Sequence, residues 1–229
     1  MKDISLIAFD ADDTLWECQT YFEAVEKEYC ELLKSYASAD EISKALFAVE
    51  TANMPLLGYG SKAFLLSLLE NAIEVSGGRL KADEVEKIIK LGKELLQLPG
   101  KPMDGVEETL KVLRETGKYH LVVFTKGELL DQENKFHRSG LKPYFDDIIV
   151  VSDKTEASYY QLCERFSINV EQLLMVGNSF RSDIEPVLKL GGWAAHIPFH
   201  TTWQHEVVEE YEHPHLFKLE YFTQLNQVL

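Results

Sequence analysis

The chain has 229 residues, enough for one large domain or for a domain with a sizeable insertion. It is 45% hydrophobic and 27% charged, an ordinary globular composition, and it contains no apolar run long enough to cross a bilayer. The net charge of −15 argues against nucleic acid and anionic membranes as partners, because both would be repelled. Three scattered cysteines and a first segment unlike a signal peptide predict a cytoplasmic protein with reduced thiols.

The first predicted element is a short buried strand at residues 5–9, with the sequence SLIAF. Residues 18–98 then contain no convincing strand, and the spacing of their apolar residues predicts helices. These helices are predicted at Phe22–Leu33, Glu41–Thr51, Ala63–Glu74 and Val85–Leu96. A linker rich in Pro and Gly follows at 98–106. We therefore expect a helical cap at 18–98, inserted into a domain made of residues 1–17 and 99–229.

The remainder of the chain alternates between apolar runs and helical patterns. Strands are predicted at 120–125, 147–152, 173–177 and 193–198, and a last strand and helix are predicted within 215–229. The helices between them are predicted at Val106–Arg114, Leu129–Ser139, Glu156–Phe166 and Ile184–Leu190. Alternation at this spacing indicates the α/β class: a doubly wound parallel sheet with helices on both faces.

Polar residues are concentrated directly after the predicted strands. In open parallel sheets this is where ligands bind, beyond the carboxyl ends of the strands. Carboxylates so close together after a buried strand are costly unless a cation meets them. The residues are Asp10, Asp12 and Asp13 after the first strand, Thr125, Lys126 and Gly127 after the second, Lys154 after the third, and Asn178, Ser179 and Asp183 after the fourth.

The segments DADDT, FTKG, DKT and GNSFRSD occur in this order at the four strand ends. Together they resemble the motifs of the haloacid dehalogenase superfamily, and the resemblance covers essentially the whole chain. It implies a Rossmann-like core with an inserted helical cap, of the phosphatase branch. The implied activity is magnesium-dependent hydrolysis of a small soluble phosphate monoester through an aspartyl-phosphate.

The resemblance also implies catalytic roles. Asp10 would be the nucleophile that forms the aspartyl-phosphate, and Lys154 would supply a fixed positive charge beside it. Alternate residues of an extended chain point the same way, so Asp12 can stand beside Asp10 as general acid and then general base. Dehalogenases of the superfamily lack an acid at the position of Asp12, and this favours a phosphatase.

The phosphate and metal ligands follow from the same resemblance. The phosphoryl oxygens would be held by the hydroxyl of Thr125 and by the backbone after it, at Lys126 and Gly127, together with Lys154. Mg²⁺ would be held by Asp10, the backbone carbonyl of Asp12, Asp183 and Asn178. Many relatives have a second acid where this chain has Asn178, so we expect weaker magnesium binding. Asp13 stands where relatives often have Gly, and Asp tolerates the turn geometry of such a loop.

Two alternatives remain open at this point. A phosphomutase would use the same first half-reaction and return the phosphoryl group to a sugar. A non-catalytic binder of small molecules would keep the fold while the amide of Asn178 weakens the metal site. Addition of a bisphosphate activator to the assay would distinguish the phosphomutase from a phosphatase. Magnesium binding would distinguish the non-catalytic binder from a phosphatase.

Other polar residues carry weaker signals. The histidines near the C-terminus match no zinc spacing, and Arg181 is typical of a surface residue. Candidates for lining a substrate cleft under the cap are Trp16, Glu17, Tyr21, Tyr59, Ser61 and Lys62. A lid of this kind favours a small metabolite over a protein as substrate.

Overall fold

The computed structural model describes residues 3–229. Its internal contacts divide the chain into two compact units. The sheet unit consists of the chain up to Gln19 together with Pro99–Leu229, and the helical unit consists of Thr20–Leu98. Within residues 3–229, no helix is both long and apolar enough to span a membrane.

The helical unit confirms the four helices predicted for this part of the chain. They are α1 (Gln19–Leu33), α2 (Ala39–Leu57), α3 (Ser61–Val75) and α4 (Ala82–Leu95). The start of α2 is fixed by a capping box, in which Ser38 and Glu41 satisfy each other's backbone N–H groups. Its end was predicted at Thr51, but the helix continues through Pro55 to Leu57, and the N–H of the capping residue Gly58 donates to the Met54 carbonyl.

Among its described residues, the sheet unit contains six parallel strands, and this confirms the predicted α/β fold. The strands are β1 (Leu6–Phe9), β2 (His120–Lys126), β3 (Asp147–Val151), β4 (Leu173–Gly177), β5 (Trp193–His196) and β6 (Leu216–Lys218), in the order β3-β2-β1-β4-β5-β6. β1 pairs in parallel with β2 on one side and β4 on the other, with Phe9 opposite Val123 and Val176. The carboxyl ends of β1, β2 and β4 therefore meet at one edge.

Helices cover both faces of the sheet, as the doubly wound prediction requires. They are α5 (Val106–Thr116), α6 (Leu129–Ser139), α7 (Glu156–Phe166), α8 (Glu185–Lys189) and α9 (Leu225–Val228). Alternate residues of β1 face opposite layers: Ile7 packs in the cluster that contains Leu110 of α5, and Ala8 in the cluster that contains Leu162 of α7. The central strands are buried from both sides, which explains their continuous apolar sequences.

The helix predicted at Ile184–Leu190 is confirmed as α8, which begins and ends one residue inside those bounds. The structure adds a π-helical turn at Phe180–Ile184, directly before α8, that no pattern in the sequence predicted. Pro186 lies at the start of α8, where its missing N–H costs no intrahelical bond. The π turn carries Asp183, one of the predicted metal ligands.

Candidate active site

Asp10 follows the last residue of β1 and is buried, with 7% of its surface exposed. Its backbone N–H donates to the carbonyl of Val176 and so continues the pairing with β4. Its Oδ2 accepts a hydrogen bond from the Thr14 hydroxyl at 3.0 Å, and its Oδ1 accepts one from the Lys154 ammonium. Burial raises the pKa of Asp10 to about 7, although the charge of Lys154 acts in the opposite direction.

Lys154 brings a buried cation to this carboxylate from the loop after β3. The next residue, Thr155, caps α7 by accepting a hydrogen bond from the Ser158 N–H, and this fixes the loop. The Lys154 ammonium also lies 2.6 Å from Oδ1 of Asp183. Burial opposes its charge, but the carboxylates of Asp10 and Asp183 outweigh burial and raise the pKa of Lys154. One ammonium therefore bridges two buried carboxylates.

Asp183 reaches the site from the π turn and is completely buried. Its Oδ2 accepts a hydrogen bond from the Ser179 N–H at 3.0 Å, and burial raises its pKa. Gly177, the last residue of β4, lies directly beneath it. A Cβ at Gly177 would lie 2.2 Å from Oδ2 of Asp183, so the close approach requires glycine at this position.

Asn178 joins this group through Thr14. The Asn178 backbone N–H donates to the Thr14 hydroxyl oxygen at 3.1 Å, and Oδ1 of Asn178 lies 3.1 Å from the same hydroxyl. His196, at the end of β5, contacts the Asn178 carbonyl through Nε2 at 3.0 Å. The structure thus brings Asp10, Lys154, Asp183 and Asn178 together at one edge of the sheet, where the sequence places them.

Asp12 faces a different set of partners. Both of its carboxylate oxygens lie 2.7 Å from the Lys135 ammonium, and they also accept hydrogen bonds from Gln132 and Trp16, each at 2.8 Å. Burial alone would raise the pKa of Asp12, but Lys135 outweighs burial and lowers it. Sequence reasoning missed Lys135 and Gln132. The available signal was two polar residues three positions apart on the buried side of α6.

The predicted phosphate ligands at the end of β2 have partners of their own. Thr125 is buried at the end of the strand. The ammonium of Lys126 pairs with Glu206 and lies 3.0 Å from the Ser182 hydroxyl. The Gly127 N–H donates to the carbonyl of Val151, at the end of β3, at 3.1 Å.

These contacts bear on the predicted phosphate site. The Lys126 ammonium and the Gly127 N–H already have partners within the protein, so a phosphate would compete with them. The hydroxyl of Thr125 donates to the adjacent Lys126 carbonyl at 3.4 Å. Phosphate binding by these three residues stays a prediction.

Asp13 adopts the left-handed conformation, with φ of 63°. Its carboxylate accepts hydrogen bonds from the backbone N–H groups of Cys18 and Gln19, the latter being the first residue of α1. This confirms that Asp13 shapes the loop. Trp16 was a candidate for lining a substrate cleft, but it is completely buried and bonded to Asp12, so it supports that carboxylate instead.

No group of three or more His, Cys, Asp or Glu side chains among residues 3–229 is arranged to hold a metal ion. The histidines near the C-terminus accordingly form no zinc cluster within that range. The oxygen atoms at these strand ends belong to two carboxylates, of Asp10 and Asp183, and to the amide of Asn178. This is the kind of set that Mg²⁺ uses, because it takes one or two carboxylates and completes its shell with waters and substrate oxygens.

Comparison with known proteins identifies the relatives of this chain. A model of the haloacid dehalogenase-like hydrolase family matches residues 4–191. Haloacetate dehalogenase H-2 from Moraxella sp. (strain B) is 27% identical over 185 residues, covering 78% of this chain and 79% of that protein.

Solved structures show the same relationship. A haloacid dehalogenase-like family hydrolase from Xanthomonas campestris has a TM-score of 0.89 at 34% identity, over 99% of this chain and 90% of that one. A predicted phosphoglycolate phosphatase from Haemophilus somnus 129pt has a TM-score of 0.64 at 18% identity, over 100% of this chain and 99% of that one. The latter similarity shows the fold alone.

Proposed function

Since the chain belongs to the haloacid dehalogenase-like hydrolase family, we propose that this hydrolase is a magnesium-dependent phosphatase acting on a small phosphate monoester. The observation that carries the proposal is the presence of two buried or half-buried carboxylates, Asp10 and Asp12, at the end of the central strand. One carboxylate can attack phosphorus, and the other can handle the proton of an ester oxygen.

In the first step an Asp10 carboxylate oxygen attacks phosphorus, the bond from phosphorus to the ester oxygen breaks, and the leaving oxygen takes a proton from the protonated Asp12 carboxyl. The positive charge of Lys154 reduces the repulsion between the anionic nucleophile and the anionic phosphate. The hydroxyl of Thr125 donates a hydrogen bond to a phosphoryl oxygen. Phosphoryl transfer depends mainly on such positioning and charge stabilisation. Asp10, Asp183, Asn178 and the Asp12 carbonyl would hold Mg²⁺, which supplies further positive charge to the phosphoryl oxygens when bound.

In the second step a water oxygen attacks phosphorus, the bond to Asp10 breaks, and phosphate leaves. Asp12 takes the proton from the water, and its pairing with Lys135 favours the carboxylate form that this requires. The same pairing disfavours the protonated form needed as an acid in the first step. We therefore expect esters whose oxygen departs without a proton, such as 4-nitrophenyl phosphate, to react fastest.

The test is release of 4-nitrophenol with magnesium and with a chelator, in wild type and in Asp10→Asn. We expect magnesium-dependent release in wild type and none in the variant, together with a covalent phosphoryl group on wild type that is absent from Asp10→Asn by intact mass. Asp104→Asn, at an exposed position of the sheet unit, is the matched control and should keep full activity. Full activity of Asp10→Asn would disprove the mechanism.

A second candidate is dehalogenation of a haloacetate, favoured by the similarity to haloacetate dehalogenase H-2. Asp10 would displace halide from carbon, and water would hydrolyse the resulting ester to a hydroxy acid. A halide departs without a proton, so the ion pair of Asp12 with Lys135 would not hinder it. Halide release from chloroacetate in the presence of chelator, without phosphatase activity, would support this candidate and exclude the first.

A further inference from the structure

Lys135 is a buried cation that the chemistry above uses only indirectly. It lies on α6 with 3% of its side chain exposed, although lysine is rarely buried without a specific partner. Gln132, three residues earlier, is buried as well. Residues three apart share one face of a helix, so this face of α6 carries two polar groups into the interior of the sheet unit.

Both polar groups meet the carboxylate of Asp12. The Lys135 ammonium lies 2.7 Å from each Asp12 oxygen, and Gln132 Nε2 donates to Oδ2 at 2.8 Å. The indole N–H of the completely buried Trp16 donates to Oδ1 at 2.8 Å. Two helix residues and one loop residue therefore fix both oxygens of one side chain, and Asp131 adds a weaker contact to Lys135 at 3.9 Å.

The backbone around Lys135 is held as tightly as its side chain. Gly100, with φ of +61°, passes so close to α6 that a Cβ would lie 2.7 Å from the Lys135 carbonyl oxygen. Gln132 Nε2 also donates to the Lys126 carbonyl at 3.0 Å, which ties α6 to the end of β2. The position of the ammonium relative to the strand ends is thus fixed by the fold.

Stability alone does not account for this arrangement. Burying an ion pair costs the hydration free energy of both charges. Well-packed apolar side chains of similar volume often give the fold equal or greater stability. The pair joins a residue of unexplained purpose to a carboxylate that stands two residues after the proposed nucleophile. A group that transfers a proton must be held in place by neighbours whose own positions are locked.

We propose that Lys135, supported by Gln132 and Trp16, is a positioning residue that holds the Asp12 carboxylate ready to take the proton of the water that hydrolyses the aspartyl-phosphate. This inference rests on the proposed function. In that step the water oxygen bonds to phosphorus, the bond from phosphorus to Asp10 breaks, and the proton passes to Asp12. Lys135 acts in this step through its contact with Asp12.

The test separates the two half-reactions with 4-nitrophenyl phosphate, whose leaving group needs no proton. We expect Lys135→Met to lower kcat by about 100-fold, the usual contribution of a general base, while kcat/KM stays unchanged. Because the phosphorylated enzyme should then accumulate, a rapid burst of 4-nitrophenol and trapped phosphoryl-Asp10 should be seen. Lys135→Arg should recover part of kcat, and the exposed control Lys189→Met should match wild type.

A double variant tests whether Lys135 acts through Asp12. If it does, Asp12→Asn combined with Lys135→Met should have the same kcat as Asp12→Asn alone; independent, additive losses would overturn the inference. If Lys135→Met fails to fold, Gln132→Met removes a neutral donor to the same carboxylate and should also lower kcat without changing kcat/KM.

The possible failures are distinguishable. Unchanged kcat in Lys135→Met and in Gln132→Met, with active wild type, would overturn the role of Lys135 and leave the phosphatase proposal intact. A parallel fall of kcat and kcat/KM without a burst would indicate a general structural role and would also overturn it. Wild type without phosphatase activity would overturn both proposals.

Discussion

At the scale of single residues, the most consequential feature is the shared contact of Lys154 with two buried carboxylates. The ammonium bonds to Asp10 and lies 2.6 Å from Asp183, and all three side chains are nearly inaccessible to water. Like charges so close would repel strongly without the cation between them. Lys154 is therefore a structural requirement for Asp10, the proposed nucleophile, as well as a group that would face the substrate.

Removing this cation should destabilise the fold. Lys154→Met leaves Asp10 and Asp183 buried without their common partner, and breaking a buried pair in this way typically costs about 3–5 kcal/mol. Urea unfolding followed by circular dichroism would measure the free energy of unfolding. Lys189→Met is the matched control, because its pair with Glu185 is exposed and its loss should not be measurable. Equal stability of the two variants would contradict the importance of the shared contact.

Asp13 should make stability depend on pH. Burial raises the pKa of Asp13 from 3.8 to about 7 in the folded protein. The folded state then binds this proton more tightly than the unfolded state, so the stabilisation is complete below the unfolded value and is lost as the pH rises through about 7.

The matching variant is Asp13→Asn, which tolerates positive φ and keeps a hydrogen-bond acceptor but does not titrate. Between about pH 4 and pH 8, the free energy of unfolding of wild type should fall relative to that of the variant by at least ~1 kcal/mol. Urea titrations at several pH values would measure the difference. Parallel pH curves for the two proteins would contradict the assignment.

The sequence predicted the positions of the site residues better than their side-chain partners. Asp10, Lys154, Asp183 and Asn178 converge because parallel strands end at one edge, and strand ends are visible as boundaries of apolar runs. The partners of Asp12 and Lys126 were not predictable in this way. Lys135 lies 123 residues after Asp12, and Glu206 lies 80 residues after Lys126, so no local pattern links either pair.

At the scale of elements, the path from β4 to α8 determines the geometry of Asp183. The chain leaves β4 at Gly177, forms the π turn at Phe180–Ile184 and enters α8 at Glu185. The π turn is held by Tyr159 of α7, whose hydroxyl donates to the Ser182 carbonyl at 2.9 Å. Single π turns inside helices are often found at functional sites.

The tight contact at the end of β4 can be tested with Gly177→Ala. The new Cβ would lie 2.2 Å from Oδ2 of Asp183, so we expect a loss of about 1–3 kcal/mol and displacement of the carboxylate. Activity should fall with it. Gly191→Ala is the control: nothing lies within 4 Å of its Cβ, and its φ of +92° alone should cost about 1–2 kcal/mol without affecting activity. Full activity of Gly177→Ala would disprove the role of this contact.

The elements themselves were largely predictable from apolar periodicity. The strands at the centre of the sheet and the helices α6 and α7 lie where the patterns indicate, because burial on one or both faces dictates their composition. The π turn was not predictable, since it depends on tertiary contacts with Tyr159 and Gly177. The continuation of α2 past Thr51 was missed because Pro55 normally marks a helix end.

At the scale of the whole molecule, the chain carries a net charge of −15, whereas the substrate that we propose for its site is an anion. Cations will accumulate near such a surface without binding specifically, so magnesium effects must be separated from screening. Inside the site, the local charge is set by Lys154 and by any bound metal rather than by the surface. An acidic protein can therefore bind a small phosphorylated metabolite, which we propose as its partner.

Specific magnesium binding should raise the melting temperature. A ligand that binds only the folded state stabilises it, and at about tenfold excess over Kd we expect an increase of roughly 3–5 °C. Sodium chloride at equal ionic strength controls for screening. In the Asp183→Asn variant, magnesium should raise the melting temperature no more than sodium chloride does. The same increase in the variant would show that Asp183 does not hold the metal.

The central position of β1 also has consequences for how the protein is made. Its two neighbours, β2 and β4, begin at His120 and Leu173, so both edges of β1 stay unpaired while more than a hundred residues are synthesised. At about 5–20 residues per second, the ribosome needs several seconds to synthesise the chain from β1 to β2. The helices of Thr20–Leu98 depend on local contacts and can form in that interval. Pulsed hydrogen exchange during refolding should accordingly show protection in these helices before Leu6–Phe9.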